Sequence, residues 1–266
     1  MPITVPEINN FTEAQWEIHD LPFEGRYMIT GGPGSGITSI AIRRIEDIKK
    51  AHPQSHIKTF LFTRTLNDFF KSGIQSVNQN FNAGVTVWAS WQRKFLISHG
   101  AWPYSMNETP PWDRLSDEIL ELNLNKKYEH LIIDEAQDYS KSDLQVMNLI
   151  AENITVFADP NQQINGRGVA DIVLIKDLLN IDDDDFWHLD ENHRNSKQII
   201  QAAKSLAPDE IEFNLDEINR EGQKPKVIHS PSFDNEIEYI SKIMNANPQY
   251  DIGILHLENK IFLTFF

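Results

Sequence analysis

Several stretches of this chain place residues that handle phosphate at spacings phosphate chemistry requires. The first is Thr-Gly-Gly-Pro-Gly-Ser-Gly-Ile-Thr-Ser at 30–39, which follows the pattern G-x-x-x-x-G-K-[ST] from Gly31 through Gly36 to Thr38. Glycines at Gly31, Gly34 and Gly36 let the backbone N–H groups running through Ser35, Ile37, Thr38 and Ser39 face phosphate oxygens, and a helix starting there adds a favourable dipole. The position that calls for lysine holds Ile37. The second stretch, Leu-Ile-Ile-Asp-Glu-Ala-Gln-Asp at 131–138, is an apolar run ending in Asp134 and Glu135. At a strand tip the first would hold Mg²⁺, with the Thr38 hydroxyl as a second ligand, and the other would orient or deprotonate an attacking water. A third apolar run, 156–164, ends in Asp159 with Gln162 placed to sense a terminal phosphate, and Arg194 in 189–196 would reach the same phosphates.

These residues need a frame that brings strand ends together. Arg26–Thr30, Lys58–Thr63, Val85–Ser90, His130–Asp134, Asn153–Asp159 and Asp185–Asp190 read as strands. Several are continuous apolar runs, as expected of strands covered on both faces. Between the first two, 38–51 carries Ile40, Ile42, Ile45 and Ile48 at near-helical spacing. The alternation predicts an α/β domain, a parallel sheet flanked by helices.

Two segments break the alternation. Residues 100–128, with Trp102, Pro103, Pro110, Pro111 and Trp112, read as an irregular insertion, and the acidic run Asp182–Asp185 as a solvated loop. A boundary is expected near 221–227, at Gly222 and Pro225, giving a first domain over 1–220. Residues 221–266 then read as an incomplete second one, with the strand–helix–strand order of 225–230, 233–245 and 251–257. The apolar end, 260–266, reads as a chain cut short rather than an anchor.

Composition sets outer limits. Lys and Arg number 24 against 39 Asp and Glu, a formal net charge of −15, which argues against a protein that wraps nucleic acid with its whole surface. There is no cysteine, so disulfides and thiolate metal sites are excluded. No basic-then-apolar leader opens the sequence and no apolar run reaches the ~20 residues of a membrane span. A cytoplasmic protein is the expectation.

Taken in order, the motifs resemble those of superfamily 1 DNA helicases of the UvrD/Rep type, over about residues 8–200. Phe-Thr-Glu-Ala-Gln at 11–15 resembles the adenine-reading Q motif, and 31–38 resembles motif I. Residues 60–69 resemble motif Ia, and 86–95 stand where motif Ib falls. Asp-Glu-Ala-Gln-Asp resembles motif II, 158–164 motif III and 191–196 motif IV. The resemblance implies a P-loop NTPase of RecA-like fold that binds ATP and Mg²⁺. It implies Gln15 as the adenine contact, His193 in place of an adenine-stacking tyrosine, and catalytic roles for Asp134, Glu135, Gln162 and Arg194. Single-stranded DNA would meet Thr63 and Arg64, with Trp88 and Trp91 as either stacking platforms or core.

The chain departs from the family at three places besides His193. Ile37 removes the lysine that stabilises charge as the terminal phosphoryl leaves, a loss of at least ~10²–10³ in rate. Asn165 stands after motif III where the family carries aromatics that stack on bases. Motifs V and VI do not occur, which implies no unwinding by this chain alone. The expectation is an ATP-binding helicase domain with weakened nucleotide affinity, weak and salt-dependent affinity for single strands, and lost catalysis. Two alternatives stand beside it: a non-enzymatic scaffold that binds a protein partner in a repair or phage-defence assembly, and an active NTPase that borrows a lysine from elsewhere.

Overall fold

The computed structural model describes residues 8–77, 84–105, 111–112, 114–159, 162, 166, 168–193, 195–206, 218, 220–250 and 252–254. The chain divides into two compact units, 2–224 and 225–266. Arg194, Asn165, Pro110 and the 260–266 segment lie outside the described residues.

Among its described residues the larger unit has six parallel strands: β1 (Arg26–Gly31), β2 (Ile57–Leu61), β3 (Val85–Val87), β4 (Tyr128–Ile133), β5 (Ala151–Ala158) and β6 (Phe186–Leu189). They stand in the order β3-β2-β4-β5-β1-β6. This is the parallel α/β arrangement that the alternation of elements predicts, and it fits the RecA-like P-loop fold that the motif resemblance implies. Successive side chains of a strand point to opposite faces, and here both faces are dry. Met28, Leu131, Ile133, Ile154 and Val156 enter one apolar cluster, while Tyr27, Ile29, Ile132 and Phe157 enter the other. Hence the continuous apolar runs in the sequence.

Helices α1 (Glu13–His19), α2 (Ile37–Ala51) and α3 (Arg64–Val77) cover the second of these faces, with Ile18, Ile40, Ile42, Ile45, Ile48, Phe70 and Ile74 as their buried contributions. Helices α4 (Trp88–Ser98), α5 (Leu115–Leu120), α6 (Lys141–Ile150) and α7 (Ile172–Leu179) cover the first. Helix α8 (Lys197–Lys204) follows β6. Among the described residues the insertion carries one short helix, α5, whose Leu115 and Ile119 are fully buried.

The third strand is shorter than the sequence suggests. It stops at Val87, and Trp88 opens α4. From there Trp88, Trp91 and Phe95 recur at helical spacing on one buried face, which outweighs the strand-like run before them.

In the smaller unit the helix expected over 233–245 is present as α9 (Phe233–Ala246), with Ser232 accepting from the Asn235 N–H at 3.3 Å. The strand expected at 225–230 is absent, and Val227 is 84 % exposed. A strand is defined by the neighbour it pairs with, and these residues have none among those described. The described part of 251–257 is likewise irregular.

Candidate functional site

In a parallel sheet all strands end on one edge, and ligands bind outside the carboxyl ends where the strand order reverses. That reversal lies at β1: the chain leaves it toward β2 on one side and returns to β6 on the other. The glycine run follows β1, Asp134 and Glu135 follow β4, Asp159 and Gln162 follow β5, and His193 follows β6. Residues scattered over more than 160 positions therefore share one edge by topology.

The glycine loop has the backbone its sequence demands. Gly34 (φ 94°) and Gly36 (φ 91°) both adopt left-handed conformations, and Gly36 caps α2. A Cβ at Gly36 would sit 2.7 Å from the Gln15 Nε2, so the loop and α1 are fitted around that glycine. Gln15 is buried; its Nε2 donates to the Ser35 carbonyl at 2.9 Å and its Oε1 accepts from the Thr12 N–H at 3.2 Å. The amide expected to read adenine is thus tied to the phosphate loop itself. On the other side the His193 N–H donates to the Gly34 carbonyl at 2.9 Å and Asn195 Nδ2 to that of Pro33 at 3.3 Å. The His193 imidazole is exposed, 3.4 Å from the Glu191 carboxylate. Thr38 and Ser39 are half-buried in the first turn of α2. Ile37, first residue of that helix, packs against the apolar cluster of Ile29 and Ile40.

Asp134 is 1 % exposed, and neither carboxylate oxygen has a hydrogen-bond partner. Burial, then the neighbouring Glu135 carboxylate, push its carboxyl up to about 8. Buried polar groups are nearly always partnered, and a hard oxygen donor left open at a strand tip suits a divalent cation. Among the described residues no cluster of three or more His, Asp or Glu is placed to hold a metal ion. Glu135 adopts a left-handed conformation (φ 56°, ψ 48°), uncommon for a residue with a side chain and enriched at functional sites. Gln162 Nε2 donates to Asp159 Oδ2 at 2.5 Å, so its side chain is turned onto Asp159.

Gln137 carries a part the residue-by-residue reading missed. Fully buried, it donates to Glu135 Oε2 at 2.5 Å and accepts from the Asp159 N–H at 3.0 Å, bridging the ends of β4 and β5. The signal was its place between the acids of 134–138, where a chain polar amide inside an apolar context must find partners.

The residues expected to meet single-stranded DNA separate into two kinds. Thr63 and Arg64 are exposed at the end of β2. Trp88 and Trp91 are core residues, 3 % and 6 % exposed, stacked on each other at 4.8 Å. Their indole N–H groups donate to Asp143 Oδ1 (2.7 Å) and the Tyr128 hydroxyl (2.9 Å). Beside them lies a cavity of about 480 Å³ lined by Phe62, Arg64, Trp88, Arg93 and Trp112 among others.

A family model described as the UvrD/REP helicase N-terminal domain matches residues 112–184, the span that holds Asp134, Glu135, Gln137, Asp159 and Gln162. Over that span the chain is similar to UvrD/REP helicases. Among solved structures, this chain is similar to the Pif1 helicase of Candida albicans (15 % identity, 96 % of this chain and 60 % of that one, TM-score 0.45). It is also similar to a Bacteroides Pif1 solved with single-stranded DNA (16 %, 73 % and 45 %, 0.38). Domain III of the Thermotoga maritima replication initiation protein DnaA is a further match (14 %, 74 % and 70 %, 0.35). The chain thus spans less than two thirds of the length of either Pif1 structure. No curated protein matches it. Among the described residues no helix of the domain is long and apolar enough to cross a membrane.

One consequence for stability follows from Asp134. A carboxyl whose folded-state pKa is raised holds its proton more tightly when folded, so its contribution is fully present below the ordinary carboxylate range and is lost as pH rises toward 8. In chelator, stability is expected to fall by roughly 2–4 kcal/mol between pH 4 and pH 8 on this account. Asp134→Asn should flatten that slope and raise the melting temperature at pH 8. Parallel pH profiles for the two proteins would contradict it.

Proposed function

We propose that this chain is the ATP-binding part of a UvrD-like DNA helicase, retaining weakened MgATP binding and having lost hydrolysis. The observation that carries the reading is a phosphate loop complete in backbone and braces, with an apolar side chain where its cation belongs. Residues 1–220 form the nucleotide-binding domain in this reading, and 221–266 open a second RecA-like domain.

The backbone N–H groups of 34–39 receive the phosphates, aided by the α2 dipole. Asp134 and Thr38 hold Mg²⁺, which when bound neutralises charge on the β- and γ-phosphates. Glu135, fixed by Gln137, orients water at the terminal phosphate, and Gln162 and Arg194 contact that phosphate. Ile37 supplies neither donor nor charge to the phosphoryl group in flight, so the site holds nucleotide without turning it over. Single-stranded DNA binds weakly, through Thr63 and Arg64, and with a steep salt dependence set by phosphate contacts.

Binding to the folded form alone raises its stability as ligand exceeds Kd. A rise in melting temperature with millimolar ATP and Mg²⁺, abolished in Asp134→Ala, is the expected result. No rise in the parent chain and none in Ile37→Lys would sink the nucleotide reading and leave the fold as a scaffold for a protein partner.

A further inference from the structure

The cavity of about 480 Å³ beside α4 opens at the carboxyl ends of β2 and β3, on the far side of β4 from the glycine loop. Phe62 and Arg64 enter it from the end of β2 and the start of α3, Trp88, Ser90 and Arg93 from α4, and Trp112 from the insertion. Pockets of ~300–1,000 Å³ with aromatic walls and a few polar groups are the usual form of a small-molecule site. Trp112 is 41 % exposed, so the lining keeps a large part of an indole free for a ligand.

The charge of this cavity runs against that of the chain. Acids outnumber bases 39 to 24, yet neither Arg64 nor Arg93 has a carboxylate partner among the described residues. Arg93 is held otherwise: its guanidinium lies over the Trp102 ring at 5.4 Å, which fixes the side chain and leaves its N–H donors open. Among the described residues one acid, Asp143, also lines the cavity. It is already filled: Oδ1 accepts from Trp88 Nε1 (2.7 Å), Ser116 Oγ (2.6 Å) and Gln92 Nε2 (3.2 Å), and Oδ2 from the Ser140 N–H (3.0 Å). Both guanidinium groups are thus left to an anion from outside.

The geometry points to a second small-molecule site: the cavity takes a free mononucleotide, its base against Trp112 and its phosphate met by Arg64 and Arg93. Planar guanidinium forks suit phosphate oxygens, and an indole face suits any base. A cavity of this volume encloses one nucleotide, whereas a strand passing through it would lay its further phosphates on a chain of net charge −15. The site therefore favours the free monophosphate over a nucleotide within a strand. It stands apart from the phosphate loop and holds whether or not that loop binds MgATP. Arg64 is common to this site and to the strand contact proposed above, so the two ligands compete.

Calorimetric titration of the full chain with AMP, in chelator so that no Mg²⁺ assists the phosphate loop, is expected to show one saturable site with Kd below about 1 mM. Arg93→Gln should weaken it about tenfold or more, and Trp112→Ala about fivefold or more. Unfolding curves check that both variants fold; should Arg93→Gln fail to, the exposed Trp112 decides alone. Absence of saturable AMP binding overturns the proposal. So does binding that both variants keep at full affinity, which would place AMP at the phosphate loop. An oligothymidylate that binds and is weakened by the two changes, while AMP does not bind, overturns it as well, because the cavity would then serve a strand. The rise in melting temperature with MgATP should persist in both variants, so the AMP site and the nucleotide reading of the loop are decided separately.

Discussion

Replacing Ile37 with lysine is expected to raise MgATP turnover by about 10²–10³-fold, the effect of restoring one charged donor to a preorganised site. The fold has room for the change. Ile37 is half-buried against the cluster of Ile29 and Ile40, at the first position of α2. A lysine stem can lie along the same apolar surface while its ammonium turns out toward the loop. The loop needs no remodelling to receive it, since Gly34, Gly36, Gln15 and the His193 N–H already fix its path. Stability should change by no more than about 1 kcal/mol. Ile37→Met separates charge from shape: it should bind and hydrolyse as the parent does. Combining Ile37→Lys with Glu135→Gln should return turnover to the parent level, because the water would lose its orienting base. Steady-state phosphate release measures all of these. A folded Ile37→Lys protein that binds MgATP and still turns over at the parent rate would show that the missing cation is not what stops the reaction.

The phosphate loop and the strand-tip acids were legible because their chemistry is local. A glycine at a left-handed position, a carboxylate at the end of an apolar run and a helix starting three residues on are all written within a dozen residues. The strand order was not written anywhere, but parallelism alone brought the ends of β1, β4, β5 and β6 to one edge, so the site could be assembled without it. What stayed hidden depends on contacts between distant segments. Trp88 and Trp91 carry indole faces that would suit nucleic-acid bases, and only the positions of Asp143 and Tyr128 across the fold reveal them as core. Gln15 reads as a ligand contact, and only the fold shows that its amide also bonds Ser35, twenty residues away. The strand expected at 225–230 has a strand's composition without a partner to pair with. In each case the residue type set what a side chain could bond to, and the topology decided which partner came within reach.

Arg44 is the extreme case, and its replacement by alanine is expected to cost about 3–5 kcal/mol. In sequence it is one of two adjacent arginines in a helix rich in charge, a residue that ordinarily faces water. In the fold it is 2 % exposed, the largest of the fully buried side chains. Its guanidinium spreads over three acceptors: Nε donates to Thr155 Oγ1 at 2.9 Å, Nη1 to the Leu21 carbonyl at 3.0 Å and Nη2 to that of Pro22 at 2.5 Å. It also lies over the Tyr27 ring at 5.2 Å. Burial lowers its pKa to about 10, so at neutral pH the charge remains, held by dipoles instead of a carboxylate partner. Those contacts tie α2 and β5 to the turn between α1 and β1, the turn that sets where Gln15 meets the phosphate loop. Alanine would strand two backbone carbonyls and empty a side chain's volume from the core. Lysine is expected to recover less than half of the loss, because one ammonium cannot serve three acceptors fixed around a planar fork. Urea unfolding gives both values. Full rescue by lysine would mean that Arg44 contributes charge and bulk alone. Rescue that fails while nucleotide-induced stabilisation falls with it would place Arg44 in the support of the site as well as of the fold.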